Sequence, residues 1–320
     1  MHAVEVGIPV EEITAAAVRI GPFVRRTPVV PWPDEGFDLW LKAESLQVTG
    51  AFKARGATNA VMKLADDVAA RGVLTHSSGN HAAAVARAAK LRGVAAHVVM
   101  PENAAAVKVE NVRRLGVEPR RCGANPAERQ KLADAVQAET GATLVHPYND
   151  PDVMAGQGTV GLEILEQVPD VAEIIVPVGG GGLTSGILSW VKACKPTVRV
   201  IAAEPAWADD TARSLAAGRI EPPLRHDTIA DGLRSGLGTR TFPILQQLLD
   251  DIVLVDEAEI LRATRLAAES GKLVVEPSGA VALAAAVRRQ PASGPIVAVI
   301  TGGNIDFHAC RLGRPPTDHA

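Results

Sequence analysis

A chain of 320 residues that is 47% hydrophobic can bury one large core or two moderate ones. Its net charge of −3, with the signs interspersed, gives no ground for a nucleic acid or an anionic membrane as partner. Aromatics make up only 3%, so the core has to be built from Ala, Val, Leu and Ile, and no apolar run reaches the length that spans a bilayer. The Met-His-Ala-Val-Glu-Val start lacks the basic-then-apolar pattern of a secretory signal. Cys122, Cys194 and Cys310 stand far apart without zinc-ligand spacing, which reads as reduced thiols of a cytoplasmic protein.

Residues 10–20 have helical spacing and stop at Gly21-Pro22, and the Pro- and Gly-bearing stretch from Thr27 to Gly36 reads as loop. Leu39 to Glu44 is a short strand and its exit. It leads into Gly50-Ala51-Phe52-Lys53-Ala54-Arg55-Gly56-Ala57. From Phe52 to Asp67, apolar residues recur at three and four positions (Ala57, Val61, Leu64), which predicts a helix with Lys53 in its first turn. A regular alternation follows. Strands are predicted over 72–77, 95–100, 143–146, 173–178, 198–203, 252–255 and 296–301. Helices are predicted over 80–92, 103–115, 126–140, 151–167, 181–194, 211–217, 242–249, 257–270 and 278–290. This predicts an α/β fold with helices on both faces of parallel sheet. The strands exceed one ordinary sheet, so two domains are expected, each an open, mostly parallel sheet flanked by helices. Residues 1–72 and 150–320 would form the larger domain, and 73–149 a smaller inserted one that closes over substrate.

Ligands of open α/β sheets bind beyond the carboxyl ends of the strands. Four strand-to-helix junctions there carry unusual residues. Thr75-His76-Ser77-Ser78-Gly79-Asn80-His81 gathers hydroxyls, an amide and backbone N–H groups at a helix start, which suits a carboxylate or phosphate, although an ordinary capped helix would also use Ser and Asn. Gly179-Gly180-Gly181-Gly182 follows the most apolar strand and opens a helix. Four glycines cost backbone entropy, and what they permit is close approach of a phosphate to the main chain. The spacing is neither a dinucleotide nor a nucleoside-triphosphate fingerprint. Thr301-Gly302-Gly303-Asn304 follows the last strand. Glu204-Pro205 with Asp209-Asp210 offers oxygen ligands for a hard cation, or simply a solvated acidic loop. Lys53 alone would read as a surface lysine snorkelling off its helix. An amine together with a phosphate cradle, and no nucleotide fingerprint, points to a phosphorylated aldehyde, pyridoxal 5′-phosphate (PLP).

With these motifs in this order, the chain resembles a PLP enzyme of the tryptophan-synthase-β fold type (PLP fold type II). More narrowly, it resembles the serine/threonine dehydratase and serine racemase family. The resemblance implies that Lys53 carries the cofactor, with Phe52 beside it and Ala51 in place of the usual serine. It implies that Ser77, Ser78, Gly79, Asn80 and His81 seat the substrate carboxylate, with Asn80 also near the phenolic oxygen of the cofactor. Gly179, Gly180, Gly181 and Gly182 would hold the phosphate. Thr301 would face the pyridine nitrogen where the family has Ser or Cys, and Glu276 would lie near the ring, although a helix-end charge complementing the dipole would also place an acid there. Arg129 and Ser235 would face the far end of the substrate, as in the racemase-like branch. Glu204, the Ala208 carbonyl and Asp210 match that branch's Mg²⁺ or Ca²⁺ site.

What the resemblance implies is β-elimination of L-serine or L-threonine to a 2-oxo acid and ammonia by a homodimer. Lys53 would move the Cα proton, and Ser78 would act on the opposite face, which makes some racemisation of serine chemically possible. The neutral hydroxyl of Thr301 would favour elimination over transamination. L-threo-3-hydroxyaspartate dehydration or serine racemisation is the alternative that Arg129 and Ser235 favour. Cysteine-synthase-like β-replacement and non-catalytic PLP binding rank below these. The chain ends soon after Asn304, so isoleucine feedback through a C-terminal regulatory domain is not expected.

Overall fold

Two continuous apolar runs form the centre of the larger sheet. The computed structural model describes residues 6–32, 38–77, 79–123, 125–289 and 294–306. In order, the strands are β1 (Val29–Pro31), β2 (Leu39–Ala43), β3 (Val73–His76), β4 (Ala96–Pro101), β5 (Arg120–Cys122), β6 (Thr143–Leu144), β7 (Glu173–Pro177), β8 (Arg199–Pro205), β9 (Asp251–Val255) and β10 (Ile296–Ile300). The helices are α1 (Val10–Ile20), α2 (Lys53–Lys63), α3 (Asp66–Ala69), α4 (Asn80–Arg92), α5 (Ala106–Arg113), α6 (Pro126–Thr140), α7 (Pro151–Gln167), α8 (Gly182–Cys194), α9 (Asp210–Ala217), α10 (Thr241–Leu248), α11 (Glu257–Glu269) and α12 (Pro277–Arg288). Every residue of β7 and β10 is buried, as an unalternating apolar run demands when both faces are covered.

The larger sheet runs β1-β2-β10-β7-β8-β9 and is parallel except for the β1–β2 pair. The smaller, β5-β4-β3-β6, is wholly parallel. The expected α/β architecture of two helix-flanked, mostly parallel sheets is therefore the observed one, and the smaller sheet is built from strands between Val73 and Leu144. One apolar cluster packs α1, α7 and α8 on one face of the larger sheet, and a second packs α11 and α12 on the other. No helix among the described residues is long and apolar enough to cross a membrane. Cys122 and Cys194 are free thiols, and Cys310 lies outside the described residues.

Local differences from the sequence reading fall at edges and ends. Val29–Pro31, expected as loop, is an antiparallel edge strand, a position where proline is tolerated. Arg120–Cys122, which has no strand-like alternation, pairs with β4 at the other sheet's edge. The helix expected through Asp67 breaks at Leu64, which is extended (ψ 142°), and a separate turn, α3, follows. The helix expected over 103–115 is confined to Ala106–Arg113.

Helix α7 positions the site-bearing helices through its glycines. A Cβ on Gly156 would stand 2.6 Å from Gly56 Cα of α2, and one on Gly158 would stand 2.9 Å from the Gly186 carbonyl of α8. The main chains of α2 and α8 therefore rest almost directly on α7, with Gln157 Oε1 accepting from Gly56 N at 3.2 Å.

Beneath α2 lies a buried ion network. Arg55 donates to Glu44 Oε2 and Oε1 at 2.8 Å each, and to Glu163 Oε1 at 2.7 Å and Oε2 at 2.8 Å. Lys42 Nζ donates to Glu163 at 2.5 Å, to Gln167 at 2.8 Å and to the Thr27 carbonyl at 2.8 Å. Burial pushes the Glu44 carboxyl up, but the Arg55 guanidinium outweighs it and holds Glu44 below the usual carboxylate range. Two cations and two carboxylates cancel, so the network is tolerable only as a whole. Arg55→Met leaves Glu44 buried and uncompensated, and the expected loss is about 3–5 kcal/mol. The check is the urea midpoint, with Arg55→Met/Glu44→Gln regaining part of the loss.

Candidate active site

The ends of β3, β7 and β10 and the start of α2 converge on one pocket, and the chain returns to it from both sheets. The Phe52 N–H donates to the Thr301 carbonyl at 3.1 Å, and Ala51 bridges to Gly302, so the segment entering α2 is tied to the end of β10. Lys53 is thereby set inside the pocket rather than on the surface. Its Nζ donates to the Pro147 carbonyl at 2.7 Å and lies 5.0 Å from the centre of the Phe52 ring. No carboxylate among the described residues is paired with it, and burial pulls its amine down to about 8. A half-buried lysine whose amine is withdrawn from water this way is poised for a carbonyl or for a proton.

The glycine loop joins β7 to α8 along one wall of the pocket. Gly181 is left-handed (φ 85°), and a Cβ on Gly180 would stand 2.4 Å from the Tyr148 ring, so no other residue fits there. The first N–H groups of α8 lack intrahelical acceptors and carry the positive end of the helix dipole, which suits a phosphate. Thr241 Oγ1 fixes the loop from behind by donating to the Gly180 carbonyl at 2.8 Å.

The loop after β3 meets the pocket at the start of α4. Ser77 and Gly79 line the pocket, whereas Ser78 lies outside the described residues. Asn80 Nδ2 donates to Glu276 Oε1 at 2.5 Å, and its Oδ1 accepts from Asn304 Nδ2 at 2.9 Å. The His81 ring does not point freely at a substrate. Its Nε2 sits 3.0 Å from the Val145 carbonyl, and burial drives the ring well below its ordinary pKa, so it is neutral. What His81 offers an anion is its backbone N–H at the helix start.

Glu276 precedes α12 but makes no side-chain cap. It is 2% exposed and turned toward Asn80, so complementing the dipole is not what its carboxylate contacts reflect. Burial pushes its carboxyl up, and Lys108 opposes that. Thr301 Oγ1 lines the pocket, 3.4 Å from the Ser278 carbonyl. Arg129 and Ser235 line it as well, and Arg129 Nε is buried without a hydrogen-bond partner among the described residues.

Glu204, Ala208 and Asp210 are buried but do not line this pocket. Glu204 accepts the Thr211 and Ala212 N–H groups at 2.8 and 3.0 Å, and burial raises it to about 8. Asp210 is 1% exposed, and neither carboxylate oxygen accepts a hydrogen bond of normal geometry from the described residues; burial raises it to about 7. Two buried carboxylates side by side, one of them short of well-formed hydrogen bonds, are a donor set of the kind a hard cation takes. Among the described residues no group of three His, Cys, Asp or Glu side chains is placed to hold a metal, so a carbonyl such as that of Ala208 would have to complete the set.

Lys108, Tyr148 and Asp231 line the pocket but belong to none of the motifs, and His76, although within the junction after β3, is given no role of its own by the sequence. His76 has no hydrogen-bond partner among the described residues on either ring nitrogen and stands edge-on to His146 at 5.5 Å, which in turn meets Tyr148 at 4.6 Å. No sequence spacing links these residues, and only the tertiary fold collects them.

Known proteins are similar to this chain. The profile described as pyridoxal-phosphate dependent enzyme matches residues 20–302. The chain is 47% identical over 309 residues to a serine racemase of Oryza sativa subsp. indica, covering 93% of this chain and 91% of that protein. It is 45% identical over 303 residues to a beta-hydroxyaspartate dehydratase of Paracoccus denitrificans, covering 93% and 96%. The crystal structure of a T.th. threonine deaminase has 44% identity and a TM-score of 0.87, covering 93% of this chain and 99% of that one. The chain therefore belongs to the pyridoxal-phosphate dependent enzyme family, in the group that includes serine racemases and hydroxy-amino-acid dehydratases.

Proposed function

We propose that the protein eliminates water from a β-hydroxy amino acid, such as L-serine or L-threonine, and yields a 2-oxo acid and ammonia. The observation that carries this reading is the buried, carboxylate-free amine of Lys53, set in one pocket with a glycine loop and an open helix start. Bound PLP supplies a carbonyl for amines and a ring that draws electrons from Cα. Gly179 to Gly182 and the start of α8 bind its phosphate. The Ser77–His81 loop orients the substrate carboxylate, and Lys53 Nζ takes the Cα proton. Thr301 offers the ring nitrogen a neutral hydroxyl, which leaves that nitrogen unprotonated and favours elimination. Ser78 is assigned to proton transfer on the opposite face, which makes serine racemisation a side reaction. The chain's similarity to a serine racemase supports that assignment.

Lys53→Ala is expected to lower 2-oxo acid release from L-serine and L-threonine by about 10³-fold and to remove the visible absorbance of bound cofactor. A variant with the wild-type spectrum sinks the lysine assignment. A wild type that binds the cofactor but releases no oxo acid from any hydroxy amino acid sinks elimination.

A second reading rests on Arg129. A guanidinium in the pocket with a buried, unpartnered Nε suits a substrate with a second carboxylate, such as L-threo-3-hydroxyaspartate, and the likeness to a beta-hydroxyaspartate dehydratase supports it. If it holds, Arg129→Ala loses kcat/KM for hydroxyaspartate by about 10²-fold or more while L-serine changes little. Equal loss on both substrates rejects it.

Glu204, Asp210 and the Ala208 carbonyl are proposed to hold Mg²⁺ or Ca²⁺. Both carboxyls have raised values in the fold, so in chelator their contribution to stability is present at low pH and is lost as pH rises through about 7 to 8. A bound cation reverses that sign, because it needs the ionised forms. Added Mg²⁺ or Ca²⁺ is therefore expected to raise Tm more at pH 8.5 than at pH 6. A Tm indifferent to both ions at both pH values rejects the site.

A further inference from the structure

Lys108 belongs to none of the motifs, yet it is 6% exposed and reaches from α5, beside the smaller sheet, to two carboxylates beside the larger one. Its Nζ lies 2.6 Å from Asp231 Oδ2 and 3.3 Å from Glu276 Oε2. The stem crosses the substrate loop so closely that a Cβ on Gly79 would stand 2.9 Å from Lys108 Cδ. Burial pulls the ammonium down, but Glu276 and Asp231 outweigh it and hold the group charged.

The consequence is carried by Glu276. An ionised carboxylate only accepts hydrogen bonds, so it forces Asn80 to turn Nδ2 toward Glu276 and Oδ1 toward Asn304, whose Nδ2 also donates to the Thr49 carbonyl at 2.8 Å. A protonated Glu276 could donate to Asn80, and the amide would be free to turn over. The charged groups facing Glu276 among the described residues are Lys108 from α5 and Asp231 from the turn Asp231–Leu233. Burial and Asp231 favour the neutral acid, and of these charges Lys108 opposes them.

We propose that Lys108 is a positioning residue of the active site: clamped between Asp231 and Glu276, it keeps Glu276 an acceptor, so that Asn80 presents one fixed amide face to the cofactor, and it ties α5 across the pocket. The proposal rests on the reading of this pocket as the PLP site.

The test uses full-length protein loaded with PLP, and compares wild type with Lys108→Met and Lys108→Arg at pH 6.5 and 8.5. The readouts are the PLP dissociation constant, the pH titration of the cofactor absorbance, and kcat and KM for L-serine. Lys108→Met is expected to weaken PLP binding and lower kcat by about tenfold at pH 6.5, and by less at pH 8.5, because a carboxyl deprived of its cation ionises more fully as pH rises. Lys108→Arg keeps the charge and regains most of the loss. In a Glu276→Gln background, Lys108→Met should add little. If Lys108→Met does not fold, Lys108→Gln, which keeps a donor for Asp231, serves in the same comparison. Wild-type values at both pH values overturn the proposal, as does a pH-independent loss that arginine does not repair. A wild type that binds no PLP through Lys53 instead overturns the cofactor reading itself.

Discussion

The constraint on which the site depends is that the amine of the half-buried Lys53 is withdrawn from water without a paired carboxylate among the described residues. Removing an ammonium from water is unfavourable, and a protein ordinarily answers with a paired acid or by exposing the group. Here the amine donates to a carbonyl instead, that of Pro147, and part of the cost shows as a lower proton affinity. An acid beside Lys53 would restore the charge and blunt the amine. The acids near the pocket are engaged elsewhere: Glu276 with Asn80 and Lys108, and Asp231 with Lys108.

Arg55 shows the opposite solution two residues along the same helix. Two residues advance α2 by a little more than half a turn, so the side chains leave on opposite sides. Arg55 enters a closed network with Glu44, Glu163 and Lys42, where each charge meets its complement, while Lys53 enters the pocket. Because Glu163 stands on α7, the network and the glycine contacts hold α2 to the same helix that supports α8. The amine and the phosphate cradle thus share one rigid support, which is what a site needs if reacting groups are to stay in register.

The smaller sheet contributes polar side chains rather than the amine. It and its helices carry His76, Ser77, Gly79, Asn80, His81, Lys108 and Arg129 to the pocket that the glycine loop lines. Polar groups with unsatisfied hydrogen-bonding capacity occur among these residues, notably His76 and Arg129 Nε. Buried donors without partners are costly in the empty pocket and are recovered only when a ligand of the right shape arrives, which is a physical basis for discrimination.

Much of this was legible in the chain because it is locally encoded. Continuous apolar runs set β7 and β10 at the centre of a sheet, helical spacing located α2 and α7, and consecutive glycines at 179–182 have few uses other than close approach to a ligand. The edge strands β1 and β5 were not legible, since they have little burial to impose a period and exist only through their partners. The same holds for Lys108, Tyr148 and Asp231, ordinary residues in sequence that become pocket residues through the tertiary fold. The sequence by itself determined the fold class and the family, and it singled out Lys53 and the glycine run. Tertiary structure alone decided that Lys53 loses its counter-ion, that His81 turns to a carbonyl, and that Glu276 answers to a lysine 168 residues away in the chain. Burial and charge pairing are properties of neighbours in space, and no local spacing encodes them.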